Sequence, residues 1–235
     1  MAALEERIEV ELWQPAFWRQ HPGFASLSPV AERVCNWSEW PPAPAYYDAL
    51  SAGEPDTLPV RFVGAEPRAY EDHIADTGEV PTRYGCWHDL LNALIWHCYP
   101  RAKVALNRLH RAAKVVVGGE GVIGDPFVGN HGAGHRGRRR DAATLFDENG
   151  AVIWSADAQL LELIRRMDWP TLFLQHRHAF GTRLHIALFG HGLLEKMRQP
   201  YVGLTAHAML LHTQKADTPQ SDSSLTALDV DALNS

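Results

Sequence analysis

The sequence predicts an α+β fold that is predominantly helical and contains a small antiparallel sheet. Apolar residues recur mainly at the spacing of helices, and the regular alternation of strands with helices that builds parallel sheets is missing. Asn149-Gly150 lies between two apolar runs, a pattern typical of a β-hairpin. We therefore expect the sheet to be built around a hairpin over Thr144–Trp154.

Length and composition are those of an ordinary globular protein. The chain has 235 residues, of which 46% are hydrophobic and 21% charged, so we expect a single globular domain over residues 1–213 and a disordered polar tail over residues 214–235. The net charge of -6 argues against nucleic acid as a partner. No apolar run approaches the roughly 18 residues of a membrane span, and acidic residues stand where a signal peptide carries basic ones. We therefore expect a cytoplasmic protein. Its three cysteines are an odd number without the spacing of a metal site, which favours reduced thiols over a disulfide framework.

The first 80 residues predict short helices and one strand. Ser28-Pro29 can start a helix, with serine as the N-cap and proline in the first turn. Leu58–Val63 has the composition of a strand, and Pro67–Asp76 that of a helix ended by Gly78. Four tryptophans in this half are candidates for a ligand cage, but their helical spacing favours the hydrophobic core. They are Trp13, Trp18, Trp37 and Trp40.

The stretch Trp87–Lys103 predicts the helix around which the rest of the chain is organised. It is mostly apolar, so protein is expected on more than one side of it. His88 and Asn92 are four residues apart on one face and Asp89 lies beside them, which crowds three polar side chains into apolar surroundings. Pro100 ends this helix at the preceding residue and starts a second, partly basic helix.

A Gly/Arg-rich loop is predicted at residues 118–140. Eight glycines fall between Gly118 and Gly137, a composition that stabilises no single backbone conformation, so we expect the least ordered internal segment here. The spacing matches neither a dinucleotide-binding nor a phosphate-binding glycine motif. The loop ends in an arginine cluster that includes Arg140 and is either a solvated group of charges or a contact for an anion.

The remaining chain predicts two helices, a strand and a polar turn. Ser155 can cap a helix over residues 157–167, and Trp169–His178 has the pattern of another helix. Leu184–Phe189 is strand-like and runs into a Gly-His-Gly segment. If that segment is helical, His191 and Glu195 share one face, a spacing compatible with joint metal ligation.

These polar residues define a candidate site, because a charged or imidazole group beside apolar sequence needs a partner. The candidate catalytic residues are His88, Asp89 and Asp141, with His110 as a further acid/base group. The candidate metal ligands are His88, His191 and Glu195, and the candidate substrate contacts are Arg83, Asn92 and Arg140. We expect His88, Asp89 and Asp141 to converge, with His191 and Glu195 completing the set.

Imidazole and carboxylate ligands together suit zinc, iron or manganese, and such an ion can turn water into a hydroxide nucleophile near neutral pH. The sequence is therefore interpreted as that of a metal-assisted hydrolase with a small anionic substrate. The alternative is a non-catalytic binding or structural protein whose polar residues satisfy one another. The arginine cluster has no interleaved aromatic residues, which weakens RNA as a partner.

Three blocks of the sequence have distinctive patterns: VPTRYGCWHDLLNALIWHCYPRAKVALNRLH, RRRDAATLFDENGAV and LFGHGLLEK. Together they resemble a bacterial family known as domain of unknown function 3025, over roughly Trp13 to Leu211. This resemblance implies kinship and no particular activity. The segment Asp147-Glu148-Asn149-Gly150 is also similar to the nucleophile loop of haloacid-dehalogenase-like phosphatases, with Asn149 in place of the second carboxylate.

Overall fold

The computed structural model describes residues 10–34, 36–50, 58–65, 70–118 and 138–213, and gives the backbone alone at residues 29, 112–118 and 138–140. The α-helices are α1 (Ser28–Val34), α2 (Tyr70–Thr77), α3 (Trp87–Cys98), α4 (Pro100–Gly118), α5 (Arg138–Asn149), α6 (Ala158–Arg165) and α7 (His191–Lys196). The strands are β1 (Arg61–Gly64), β2 (Glu79–Thr82), β3 (Gly150–Ser155), β4 (Leu184–Leu188) and β5 (His207–His212). This predominantly helical α+β architecture confirms the predicted class. Among the described helices, none combines the length and apolarity needed to cross a bilayer.

The strands form two small sheets of different kinds. Strands β1 and β2 are parallel neighbours, and α2 connects them. In the second sheet β3 is central, antiparallel to β4 and parallel to β5. The expected antiparallel pairing is therefore present only between β3 and β4, and the two other pairings are parallel.

The predicted hairpin over Thr144–Trp154 is wrong. Helix α5 continues to Asn149, and Gly150 begins β3 directly, so the Asn-Gly pair joins a helix to a strand. A Cβ atom at Gly150 would lie 2.2 Å from the backbone oxygen of Phe146, which means that the strand leaves the helix in a space that only glycine fits. The acidic residues before Gly150 consequently lie on a helix, and the phosphatase-like nucleophile loop is excluded.

Helix α3 is the centre of the main hydrophobic core, as predicted. Trp87 and every residue of Leu90–Trp96 are buried, because α1, α4 and α7 all pack against the helix. The helix ends at Cys98 and α4 begins at Pro100, since proline cannot supply the backbone donor that would continue α3. The four nominated tryptophans belong to this core or pack against it, also as predicted, and Trp13 stacks on Trp87 with ring centroids 5.3 Å apart.

The start of α6 differs from the prediction in its cap. Asp157, not Ser155, is the N-cap, and its carboxylate accepts a hydrogen bond from the backbone N–H of Gln159 at 3.0 Å. The Ser155 hydroxyl instead accepts from the N–H of Asp157 and donates to the carbonyl of Arg183. Ser155 thus ties β3 to the segment before β4.

The predicted helix over Trp169–His178 is present as two short helices of other types. Thr171–Gln175 forms a π-helical turn and Arg177–Ala179 a 3-10 turn. Leu172 packs into a second small core beneath α6, whereas Trp169 and Phe173 lie at the surface. A single buried anchor is too little to hold a regular helix against that core.

Two predicted features fall on residues without a description. The Gly/Arg-rich loop lies outside the described residues between residues 119 and 137, and the tail over residues 214–235 lies outside them altogether.

Candidate metal centre

A pocket of about 350 Å³ opens between α2, α3, α4, α5 and the start of α7. Its acidic, basic and histidine lining residues are Glu71, Arg83, His88, Asp89, Lys103, His110, Asp147, Glu148 and His191. Four carboxylates therefore face two cations, which gives a formal charge of -2 when the histidines are neutral. A small, acidic pocket of this kind matches the size of small-molecule sites and the charge of a divalent cation.

Helix α7 brings His191 to the end of α5 because glycines flank this histidine. A Cβ atom at Gly190 would lie 2.4 Å from the backbone nitrogen of Gly150, and one at Gly192 would lie 2.6 Å from an Oε atom of Glu148. The first turn of α7 can thus approach α5 to a distance that other residues would prevent. The Gly-His-Gly sequence is the local feature that places His191 beside Glu148.

His88, Glu148 and His191 meet at one wall of the pocket. Glu148 Oε1 lies 3.4 Å from His191 Nε2 and 3.9 Å from His88 Nε2. One candidate ligand atom from each residue lies within 4.8 Å of the others. Bonds of about 2.1 Å at tetrahedral angles would separate such atoms by about 3.4 Å. The three side chains are therefore arranged closely enough to hold one metal ion.

Glu195 lies behind His88, and it is not among the described residues that line the pocket. His88 Nδ1 lies 2.9 Å from the Glu195 carboxylate, one turn along α7 from His191. An ionised carboxylate only accepts, so Nδ1 carries the proton and neutral His88 has its lone pair on Nε2. Such a carboxylate–histidine pair orients the ring and makes its free nitrogen a better ligand.

The charges of the cluster are mutually stabilising. The hydrogen bond to Glu195 raises the pKa of His88 above its usual value, and burial only partly opposes this effect. The contact with His191 holds the pKa of Glu148 below its usual value, and His88 does the same for the pKa of Glu195. Both glutamates are therefore carboxylates at neutral pH, as metal ligation and ring orientation require.

An ion pair between Lys103 and Asp147 lines the pocket next to this cluster. The ammonium group of Lys103 donates to both carboxylate oxygens of Asp147, at 2.6 and 2.8 Å, and lies 5.5 Å from the ring centroid of Trp96. Burial acts to raise the pKa of Asp147, but the positive charge of Lys103, aided by the nearby His191 ring, keeps it below its usual value. The pair is thus charged and internally neutralised.

The structure brings together only some of the residues that the sequence nominated. His88, His191 and Glu195 lie in one cluster, and of these only His191 and Glu195 were related by their spacing along the chain. Asp141 does not join them: it is exposed in the first turn of α5, about 10 Å along the helix axis from Glu148. The carboxylate that α5 contributes is Glu148.

The other nominated residues have separate roles in the pocket wall. Asp89 accepts hydrogen bonds from the backbone N–H and the guanidinium group of Arg83, at 2.6 to 3.1 Å, which fixes the entry into α3. Asn92 donates to the hydroxyl group of Tyr70 at 2.7 Å. His110 is buried at the far wall. The side chain of Arg140 lies outside the described residues.

Sequence reasoning missed Glu148 because it assigned the Asp147-Glu148-Asn149-Gly150 segment to a turn. A signal was present in the RRRDAATLFDENG block. Read as a helix, that block places Asp141, Thr144 and Glu148 on one face at spacings of three and four residues, which is the spacing that first drew attention to His88.

One of the comparisons with known proteins covers this part of the chain. A family model described as a protein of unknown function (DUF3025) matches residues 60–234, which include every residue of the cluster. No curated protein and no solved structure matches the chain.

Proposed function

Because this chain belongs to the DUF3025 family, whose description gives no activity, we propose a function from the pocket itself: a metal-assisted hydrolase. His88, Glu148 and His191 hold a divalent ion, and Glu195 orients His88 from behind. The observation that carries the proposal is the meeting of three ligand atoms at the wall of an acidic pocket.

The number and kind of ligands favour a catalytic site over a structural one. Two histidines and one carboxylate form a typical three-residue set for catalytic zinc, which keeps its fourth position for water or substrate. Structural zinc sites are closed by four protein ligands, usually with cysteine. Among the described residues, no cysteine joins the cluster. Iron and manganese accept the same ligand types and are the alternative ions.

The contact between neutral His88 and Glu148 is also compatible with a cation at this point. With its proton on Nδ1, neutral His88 directs the Nε2 lone pair towards Glu148 Oε1 at 3.9 Å. A lone pair and a carboxylate repel each other unless a proton or a metal ion lies between them. An ion here would lower the pKa of a bound water to about 7 and supply the hydroxide nucleophile.

The substrate of this proposal is small and binds the ion through an anionic or carbonyl oxygen. A divalent ion would offset the pocket's formal charge of -2 and supply the positive charge such an oxygen needs. Arg83 contributes at the pocket edge, where its guanidinium group is half exposed although Asp89 already binds it. Arg140 stays a proposed contact.

The alternative is a structural network with no ligand. Two satisfied ion pairs, Arg83–Asp89 and Lys103–Asp147, favour it. The arrangement of Glu148 argues against it, since its Oε1 atom lies 3.9 Å from His88 Nε2, too far for a hydrogen bond. A metal ion bound by both atoms would account for this separation.

Metal analysis of the purified full chain tests the proposal. We expect one zinc, iron or manganese ion per chain by inductively coupled plasma mass spectrometry, or after adding the ion to chelator-treated protein. Glu148→Gln and His191→Gln should each lower affinity by more than about a hundredfold, because each removes a direct bond. Metal-loaded protein should hydrolyse at least one of 4-nitrophenyl phosphate, bis(4-nitrophenyl) phosphate and 4-nitrophenyl acetate.

Matched surface variants separate ligation from general damage. Glu39→Gln and His207→Gln change exposed residues of the same types and should keep the metal. If Glu148→Gln retains wild-type affinity, or if the chain binds none of the three ions while its fold is intact, the structural alternative is correct.

A further inference from the structure

We propose that the pocket contains a recognition subsite for an uncharged planar group with both a hydrogen-bond donor and an acceptor, as in a carboxamide. The subsite consists of Asn92, Trp96 and Thr144, and we call it the amide subsite. This inference rests on the proposed function in one respect only, namely that the subsite lies beside the metal centre and selects its substrate.

The amide subsite follows the metal centre along two helices. His88, Asn92 and Trp96 are four residues apart on α3, and all three line the pocket. On α5, Thr144 and Glu148 have the same spacing and also line it. Four residues of a helix rise by about 6 Å, so Asn92 is one helical turn beyond the metal ligand on its own helix.

Each of the three subsite residues has a polar atom without a partner among the residues that the structure describes. Asn92 Oδ1, Trp96 Nε1 and Thr144 Oγ1 are buried, and none has a hydrogen-bond partner within the described part of the chain. The side chains of Asn92 and Trp96 belong to residues only 6% and 1% exposed. Buried polar groups in proteins nearly always have a hydrogen-bond partner, so three unsatisfied groups together next to a pocket indicate a ligand that satisfies them.

The complementarity does not depend on how the Asn92 amide is turned. Its Nδ2 atom contacts the hydroxyl group of Tyr70, which can either accept or donate a hydrogen bond. In both orientations one end of the amide stays without a partner. A carboxamide offers an N–H donor and a carbonyl acceptor, and thus matches either orientation, while the indole N–H of Trp96 can only donate.

The surroundings of the amide subsite disfavour a charged ligand group. The ammonium group of Lys103 lies 5.5 Å from the Trp96 ring, and the carboxylate of Asp147 already neutralises its charge. An ionic group would lose its hydration without gaining a free counter-charge. Ile74, Pro81 and Leu106 supply apolar walls that suit the faces of a flat group. The inferred substrate therefore carries an uncharged amide-like group roughly one helical turn, about 6 Å, from the bond at the metal.

Three matched probes test the subsite on the metal-free full chain: benzamide, acetophenone and benzoate. Acetophenone replaces the NH₂ group of benzamide by a methyl group, and benzoate adds a charge. By ligand-observed NMR titration, benzamide should bind about tenfold more tightly than either, since the loss of one hydrogen bond to a buried group has about this effect. In Asn92→Leu the preference over acetophenone should disappear, whereas Asn36→Leu, an exposed control, should keep it.

A second variant guards against a folding defect in Asn92→Leu. Asn92→Asp replaces an amide by a carboxylate of the same shape, so the affinity ratio of benzamidinium to benzamide should rise about tenfold over the wild-type ratio. Equal affinity of the wild type for benzamide and acetophenone, or an unchanged ratio in Asn92→Asp, overturns the inference. Zinc titration of the same samples separates the two proposals. A preference for benzamide without zinc binding refutes the proposed function alone, and zinc binding without this preference refutes the amide subsite alone.

Discussion

Replacing Glu195 by glutamine tests whether this residue orients a ligand or is itself one. The sequence nominated Glu195 as a metal ligand beside His191, whereas the structure has its carboxylate bound to Nδ1 of His88 at 2.9 Å. Glutamine keeps the size of the side chain and can still accept from Nδ1, but it removes the negative charge. We expect Glu195→Gln to weaken metal binding without abolishing it.

The expected size of the effect follows from the geometry. Changes to groups that hold a metal-binding histidine cost about 10–100-fold in metal affinity, or about 1.4–2.8 kcal/mol. The Glu195 side chain is 38% exposed, so water screens its charge and partly replaces it after the change. The loss should therefore be near the lower limit, about tenfold. Removing a direct ligand such as Glu148 should cost far more.

The assay is a competition titration of zinc against a chromogenic chelator, carried out with the full chain between pH 8 and pH 5.5. Glu195 raises the pKa of His88, so in the wild type protons compete with the metal from a higher pH than in the variant. As the pH falls, zinc binding by the wild type therefore weakens at a higher pH than zinc binding by the variant. The difference in zinc affinity between the two proteins should become smaller towards pH 5.5. Glu39→Gln, at an exposed position, is the matched control.

Two results would refute the assignment. A loss as large as that of Glu148→Gln would mean that Glu195 is a direct ligand, as the sequence suggested. Unchanged affinity at every pH would mean that the Glu195–His88 contact has no part in metal binding.

Three further predictions concern the pocket wall and the core. Lys103→Met should lower the free energy of unfolding, measured by urea denaturation, by about 3–5 kcal/mol, because it leaves the Asp147 carboxylate buried without its counter-ion. The double variant Lys103→Met/Asp147→Leu removes both charges and should recover most of this loss. His97 has its pKa lowered to about 4 by burial, from an ordinary 6.5, so its contribution to stability is complete above pH 6.5 and is lost as the pH falls towards 4. The wild type should thus lose about 3 kcal/mol more than His97→Gln between pH 7 and pH 4. Gly192→Ala should lower metal affinity while the protein stays folded, because its Cβ would lie 2.6 Å from the carboxylate of Glu148 and displace it.

Each of these has a control and a contrary outcome. Arg166→Met breaks an exposed ion pair with Glu162 and should lower the free energy of unfolding by less than about 1 kcal/mol. If Lys103→Met lowers it by no more than this, the Lys103–Asp147 pair behaves like an exposed one and the prediction is wrong. If the free energy of unfolding of the wild type and of His97→Gln falls equally between pH 7 and pH 4, the argument from the burial of His97 is wrong. Gly64→Ala introduces a Cβ with open space around it, so equal metal affinity in the Gly64 and Gly192 variants would mean that Glu148 tolerates the crowding.

The parts of the fold that follow from local stereochemistry were predictable. The burial of α3 follows from its apolar residues on every face, and its end follows from Pro100, whose ring excludes the continuing hydrogen bond. Strand β4 coincides with the strand-like run at Leu184–Phe189, and the positive φ of Gly78 ends α2 as expected. Each of these depends on residues within one or two turns of one another.

The hairpin failed because a tertiary contact overrode a strong local preference. Asn149-Gly150 favours a tight turn in isolation, but Gly150 is also where β3 packs against Phe146 and Gly190 at distances that exclude a Cβ. Packing of this kind can exceed the small energy difference between turn types. The error propagated to the site, because a residue assigned to a turn could not be placed on a helical face.

The sequence alone determined that His88, His191 and Glu195 were candidates, because imidazole and carboxylate groups beside apolar residues need partners. Only the tertiary structure decided which partners they have. His88 and Glu195 are 107 residues apart in the chain, and no spacing rule reaches that far. The selection of Glu148 over Asp141 has the same origin: both lie on α5, but only the last turn of that helix meets the glycine-flanked start of α7, and it is this packing that puts a carboxylate between two histidines.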